Sequence, residues 1–132
     1  MILLDTDVMV DVLRQYPPAV QWLGALGDET IVLPGFVVME LIQGARSKPE
    51  QEAIEKALAT HVAVWPSSDA CQSALQVFAH QHLSHGLGIL DAIIGQVAIE
   101  SGLPLHTFNQ KHYDSIPGLT TAQPYDRRAA AT

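Results

Sequence analysis

Apolar residues recur along the chain in short blocks of two kinds, and the alternation predicts the fold class. Met1 to Leu4, Thr30 to Leu33, Val62 to Trp65 and Leu105 to Phe108 are brief, nearly continuous apolar runs bounded by turn residues. Runs of that length read as buried strands. Gly118 to Thr121 is a candidate fifth. Between them lie longer segments with helical spacing. Asp5-Thr6-Asp7 supplies helix-start chemistry before Val8 to Arg14. Pro17-Pro18 opens a second helix that ends near Gly27-Asp28. Phe36 to Ala45 is a strongly apolar helix, and Lys48 to about Thr60 a more polar one. Ser68-Asp69 is expected to cap a long helix running to about His85, where Gly86-Leu87-Gly88 breaks it. Leu90 to Ser101 follows, with Gly102 at its end. Strands alternating with helices predict an α/β fold with a mainly parallel sheet of four or five short strands. Ligands of such sheets bind beyond the carboxyl ends of the strands.

With 132 residues, the chain has the length of one domain. Residues 1–125 are expected to form it, with 126–132 as a flexible tail. Hydrophobic residues make up 48% and charged ones 16%, which excludes a disordered chain. No apolar run approaches the ~20 residues of a membrane span. The first residues meet Asp5 at once and lack a basic region, so no signal peptide is expected. A single cysteine, Cys71, excludes an internal disulfide framework and fits a reducing, cytoplasmic compartment. The net charge of −7 argues against nucleic-acid binding through a broad basic surface. It fits a basic protein partner, bound divalent cations or solubility.

The positions of a few acids sharpen that choice. Asp5 follows an apolar strand directly, where an open α/β sheet puts its chemistry; as a helix N-cap it would be explained equally well. Asp7 falls in the first helical turn, which the helix dipole favours anyway. Asp11, one turn on, reads as a solvated charge. Glu40 is the only charge between Thr30 and Ala45 and sits amid Phe36, Val37, Val38, Met39, Leu41 and Ile42. A helix apolar nearly all round is mostly buried, so its carboxylate needs a cation or several donors, with Arg46 as one candidate partner. Asp91 starts a helix with Ile93, Ile94 and Val97 on its stripe. Gly95, Ala98 and Gly102 form a ridge of small residues that would let another element approach. Asp91, too, reads alone as an N-cap.

Taken together, three acids at element junctions in a chain with few charges suggest convergence. Gathered carboxylates repel unless a cation neutralises them, and at least one of Asp5, Glu40 and Asp91 should then have a raised pKa without metal. Oxygen ligands suit Mg²⁺ or Mn²⁺, which can activate water against a phosphodiester. His80, His82 and His85 share a helix without a zinc-binding pattern. His61 and His106 carry no signal.

The segments LLDTDVMVD, VVMELIQGA, LDAIIGQVAIESGLPLHTFN and NQKHYDSIPGLTTAQPY, in this order, resemble the motifs of PIN-domain proteins, most of all the VapC-type toxins of toxin–antitoxin pairs. The resemblance runs from Met1 to Tyr125. It implies a three-layer PIN-like fold and a Mg²⁺- or Mn²⁺-dependent endoribonuclease acting on RNA. It also implies a cognate antitoxin. By motif match Asp5, Glu40 and Asp91 are the catalytic and metal-binding acids. Thr107 and Asn109 match the polar residues after the last central strand, and Asp7 is a further candidate. The family often carries a fourth Asp three residues after that Asn; here the position is His112, as in a subset of the family, so a second metal site is in question. Arg14, Arg46, Lys48 and Lys111 flank the motifs as candidate RNA contacts. An antitoxin's basic segment would suit the acidic cleft. The mean hydropathy of +0.15 adds the expectation of a homodimer or an antitoxin-covered surface.

Two other readings compete. Asp5-Thr6-Asp7-Val8 is similar to the opening of haloacid-dehalogenase-type phosphatases, which form an aspartyl-phosphate; a late acidic pair is missing here. A PIN-like binding module that has lost its activity, with His112 as the first loss, is the other.

Overall fold

The computed structural model describes residues 1–127. Five strands form one sheet: β1 (Ile2–Leu4), β2 (Ile31–Pro34), β3 (Val62–Val64), β4 (Leu105–His106) and β5 (Thr121–Ala122). Their order is β3-β2-β1-β4-β5, and every pairing is parallel. Seven helices flank it among the described residues: α1 (Thr6–Leu13), α2 (Pro17–Ala25), α3 (Gly35–Gln43), α4 (Lys48–Leu58), α5 (Ser68–His85), α6 (Ile89–Ser101) and α7 (Gln110–Tyr113). This is the expected α/β, PIN-like architecture. None of these helices is long and apolar enough to cross a membrane.

The apolar runs became strands because both faces of the central ones are covered. Leu3, Leu4 and Leu105 have no exposed surface, and Ile31, Val32 and Leu33 are buried. That is the pattern of a parallel sheet with helices on its faces. The edge strand β3 leaves Val62 half exposed. The topology creates the position that matters. From β1 the chain moves outward through β2 to β3, then returns to place β4 on the other side of β1. The switch point therefore lies between β1 and β4, and their carboxyl ends open a crevice there.

Several boundaries differ from the sequence reading. The cap of α5 is Ser67, whose hydroxyl accepts from the Ala70 N–H. Ser67 itself is held by Glu100 at the end of α6 through both its N–H and its hydroxyl. The last central strand stops at His106, because Thr107 turns to accept the Asn109 N–H. The fifth strand is shifted to Thr121–Ala122. The four-residue helix α7 was not anticipated, being too short for a periodic signal. Of the expected tail, Asp126 and Arg127 are described, and Arg127 is packed: it pairs with Asp11 at 3.1 Å and lies over the Phe108 ring at 3.9 Å. Residues 128–132 of that tail lie outside the described residues.

The ridge of small residues on α6 is half right. Gly95 is the point of close approach: a methyl there would stand 2.7 Å from Ile116 Cδ1 and 3.5 Å from Leu119. Gly102 instead ends α6 in the left-handed conformation, at φ 68°. Overpacking should therefore outweigh any gain from removing a helical glycine. Gly95→Val is expected to lower stability by about 2 kcal/mol in urea unfolding with an unchanged m value.

Candidate functional site

Asp5 is the first residue past the central strand, and it is only 5% exposed. Its backbone N–H still donates to the His106 carbonyl, continuing the sheet by one step. Its side chain caps α1 by accepting the Thr6 N–H on Oδ1 at 2.8 Å. Oδ2 accepts two hydroxyls, from Thr107 at 2.9 Å and from Tyr113 at 3.0 Å. The cap and the functional reading of Asp5 therefore coincide in one side chain. Burial pushes its carboxyl up to about 6, and the neighbouring Asp7 charge adds to the rise, while the three donors oppose it. One acid of the predicted three is thus raised in pKa, but desolvation outweighs the expected carboxylate repulsion.

Asp7 lies across the same crevice. Its Oδ2 accepts the Phe108 N–H at 2.9 Å and faces the Thr107 hydroxyl at 3.4 Å. Its Oδ1 is buried with no hydrogen-bond partner. Burial raises its pKa as well. The dipole explanation accounts for neither the orphaned oxygen nor the burial. Thr107, wholly buried, joins both acids, so the predicted polar residue after β4 is at the centre of the cluster. Asn109 is exposed and caps α7 without a side-chain hydrogen bond.

Asp91 is not an N-cap. Gly88 occupies that position, and Asp91 is the third residue of α6. The cap reading is therefore removed, leaving an acid in the first turn of the helix, where the dipole favours it. Its Oδ2 stands 3.7 Å from Nδ1 of His112. Tyr113, the next residue, reaches Asp5 through its hydroxyl, so α7 touches the surroundings of both acids. Burial drives its phenol well above its ordinary pKa, and the charges of Asp5, Asp91 and Asp7 push in the same direction. The phenol belongs to a residue only 2% exposed.

Glu40 lies apart from this group. It is half-buried, and its Oε1 accepts the Thr6 hydroxyl at 2.9 Å. The expectation that α3 is buried nearly all round is corrected: Met39 is 55% exposed, and the buried positions are Gly35, Val37 and Leu41. No ion pair joins Glu40 to Arg46 among the described residues. Glu40 instead opens on a cavity of about 420 Å³ between α1, α3 and α4, floored by Val10, Leu13, Leu41 and Ile54. Arg14 lines the same cavity, whereas Arg46, Lys48 and Lys111 are exposed elsewhere. Asp11, read as solvated, accepts from the Tyr125 hydroxyl at 2.8 Å and from Arg127. Sequence reasoning also missed Thr6 and Tyr113. A tyrosine in the polar run from Asn109 to Ser115 was the available signal for the latter.

Among the described residues no three His, Cys, Asp or Glu side chains stand close enough to form a metal cage as they are. The donor set still suits a hard divalent cation, being carboxylate oxygens with one buried and unpartnered. Mg²⁺ keeps several waters and commonly takes only one or two carboxylates, so a full cage is not required.

An all-parallel α/β domain with acids gathered at its topological switch point defines the class. The chain belongs to the PIN domain family, whose model matches residues 2–117. No curated protein matches the sequence at a significant level. Among solved structures, a chain of a toxin–antitoxin complex from Klebsiella pneumoniae superposes with a TM-score of 0.76 at 26% identity, covering 96% of this chain and 99% of that one. VapBC2 from Rickettsia felis, bound to a DNA fragment from their promoter, gives 0.77 at 23% identity over 96% and 100% of the two chains. DNA-bound VapBC from Salmonella typhimurium gives 0.77 at 22% over 94% and 99%. The last two establish the shared fold.

The raised Asp5 pKa fixes a pH dependence. The folded, metal-free protein holds a proton that the unfolded chain has released, in the window between the ordinary aspartate value of 3.8 and about 6. Stability contributed by this group is thus present below that window and declines as pH rises through it. Asp5→Asn retains a capping oxygen and removes the titration. In metal-free urea unfolding, the stability of Asp5→Asn relative to wild type should rise between pH 4 and 7 by on the order of 3 kcal/mol. A difference independent of pH would contradict the burial of the charge.

Proposed function

We propose that this chain is a Mg²⁺- or Mn²⁺-dependent endoribonuclease, the toxin of a toxin–antitoxin pair that acts in the cytoplasm. The observation that carries the reading is the pair of acids Asp5 and Asp7 joined by Thr107 at the switch point of a PIN-family sheet, with α7 touching Asp5 through Tyr113 and Asp91 through His112. The similarity to a toxin–antitoxin complex supports the biological role. The aspartyl-phosphate reading gives way to the family match. It also suits Asp5 poorly, since a nearly inaccessible carboxylate with both oxygens engaged is a weak nucleophile.

Asp5 and Asp91 would hold the cation, with Asp7 offering its unpartnered oxygen and Glu40, which accepts from Thr6 beside Asp5, as the third acid of the motif. When bound, the ion supplies an activated water and stabilises the leaving oxygen of the phosphodiester. The chain's own residues do the rest. Thr107 and the Thr6 and Phe108 amides fix the two acids of the β1–α1 junction. His112, beside Asp91 and largely exposed, can donate to a phosphate when protonated. Arg14, at the cavity that Glu40 lines, is placed to meet the RNA backbone, with Arg46, Lys48 and Lys111 as outer contacts. That cavity combines an apolar floor with Glu40 and Glu50, which suits an amphipathic, basic antitoxin segment.

Two measurements test this reading. Asp91→Asn should cut RNA at least ~100-fold more slowly under saturating metal, because a lost ligand misplaces the attacking water. Its metal-free melting temperature should equal or exceed that of wild type, since one of several repelling charges is gone. Glu40→Gln should behave likewise, whereas Asp28→Asn, on an exposed turn, should leave cleavage unchanged. Wild-type cleavage by Asp91→Asn, or activity that survives EDTA, would overturn the proposal; the inactive binding module predicts no cleavage by any form.

Leu75, Leu83 and Ile89 are 61%, 88% and 63% exposed on the α5–α6 side. They support the homodimer as cover for apolar surface. Light scattering of the antitoxin-free protein at micromolar concentration should give the mass of two chains. The mass of one chain would count against self-association.

A further inference from the structure

The short helix α7 puts two consecutive side chains onto two different acids. His112 stands 3.7 Å from Asp91 of α6, and the Tyr113 hydroxyl donates to Asp5, past the end of β1. Tyr113 is among the most completely buried large side chains of the core, packed in the same cluster as Leu3, Leu4, Val8 and Ile116. A ring seated that firmly cannot follow a moving carboxylate, so it sets where the carboxylate can be. The Thr107 hydroxyl reaches the same Oδ2, so two donors from two elements fix one oxygen while the Thr6 amide takes the other. The ring itself needs no hydroxyl to pack: a phenylalanine would fill the same space. The phenol is the part of this residue that the core does not explain.

We propose that Tyr113 is a positioning residue of the acidic site, its phenol locking Asp5 in the orientation that receives a divalent cation together with Asp91. This rests on the metal-dependent reading above. With two hydroxyls on Oδ2 and the Thr6 amide on Oδ1, the carboxylate has its plane fixed, and its one remaining lone pair, on Oδ1, points in a single direction. Loss of the phenol leaves Oδ2 with the Thr107 hydroxyl alone, a donor that Asp7 also faces, and loosens the carboxylate. The cation then meets an acid that must be ordered on binding, and affinity falls. Partners that orient a ligand in this way are typically worth ~10- to 100-fold in metal affinity or activity.

The test compares Tyr113→Phe, Asp5→Asn and wild type as full-length purified protein. Mn²⁺ binding is followed by calorimetry, RNA cleavage by initial rates, and folding by metal-free melting. Tyr113→Phe should bind Mn²⁺ ~10-fold or more weakly and show a kcat lower by ~10- to 100-fold at subsaturating metal, partly restored by raising Mn²⁺, with KM for RNA unchanged. A merely structural tyrosine would lower the melting temperature and leave Mn²⁺ affinity as in wild type; that result overturns the proposal. Asp5→Asn separates the two layers of the argument. Lost binding in Asp5→Asn with wild-type binding in Tyr113→Phe rejects the positioning role alone. Wild-type binding in both rejects the metal site itself, and the proposal with it. If Tyr113→Phe does not fold, the wild-type chain still decides. Titration with diamagnetic Mg²⁺ should shift the Tyr113 ring resonances, saturating with the Mg²⁺ affinity that calorimetry gives for the same protein, and resonances that stay put would overturn the assignment.

Discussion

A carboxylate at 5% exposure, at the end of a strand whose two preceding residues have no exposed surface, must be surrounded by donors or surrender its charge. Asp5 is that group, and much of the local architecture answers to it. Its Oδ1 starts α1. Its Oδ2 ties β1 to the loop after β4 through Thr107 and to α7 through Tyr113. Three donors do not fully compensate for the lost water, which is why the carboxyl stays raised to about 6. Helix start, sheet and loop are thus tied together through one residue.

Asp7 extends the same logic. It accepts a backbone N–H from Phe108, yet one of its oxygens is buried without a partner. Buried polar atoms are nearly always satisfied, so an orphan beside a second raised carboxylate calls for an explanation. In the proposed nuclease, a bound cation would supply it. The C-terminal segment contributes from the other side: Arg127 pairs with Asp11 and lies over Phe108, holding α1 against the loop that carries Thr107.

Glu40 shows how the site divides. It is linked to the Asp5 cap through Thr6, the residue between Asp5 and Asp7, yet it faces the apolar cavity between α1, α3 and α4. The same carboxylate thus stands at the edge of the acidic crevice and at the rim of a groove suited to a protein segment. In the proposed toxin, a partner filling that groove would lie against the acids that do the chemistry. Occupancy of one and use of the other would then be coupled by proximity alone, without a conformational change.

The pattern of short apolar runs and helical segments was enough to determine an α/β parallel sheet, because strands buried on both faces are continuously apolar and turn residues mark their ends. Asp5 and Asp91 were visible as acids at the starts of helices in a sparsely charged chain, and Glu40 as the one charge inside an apolar helix. What sequence could not decide was why each was there. Asp5 and Asp91 both read as helix caps, and only the fold shows that Asp5 caps a helix while Asp91 caps none. Asp7 and Asp11 read as ordinary helix acids, because their partners, Phe108, Tyr125 and Arg127, lie more than ninety residues away along the chain. Tyr113 and α7 were silent, since a single helical turn has no periodicity and a tyrosine in a polar run declares no acceptor. Strand order made the difference: placing β4 beside β1 brings the Thr107 loop and α7 onto the β1–α1 junction, and local sequence carries no record of that adjacency.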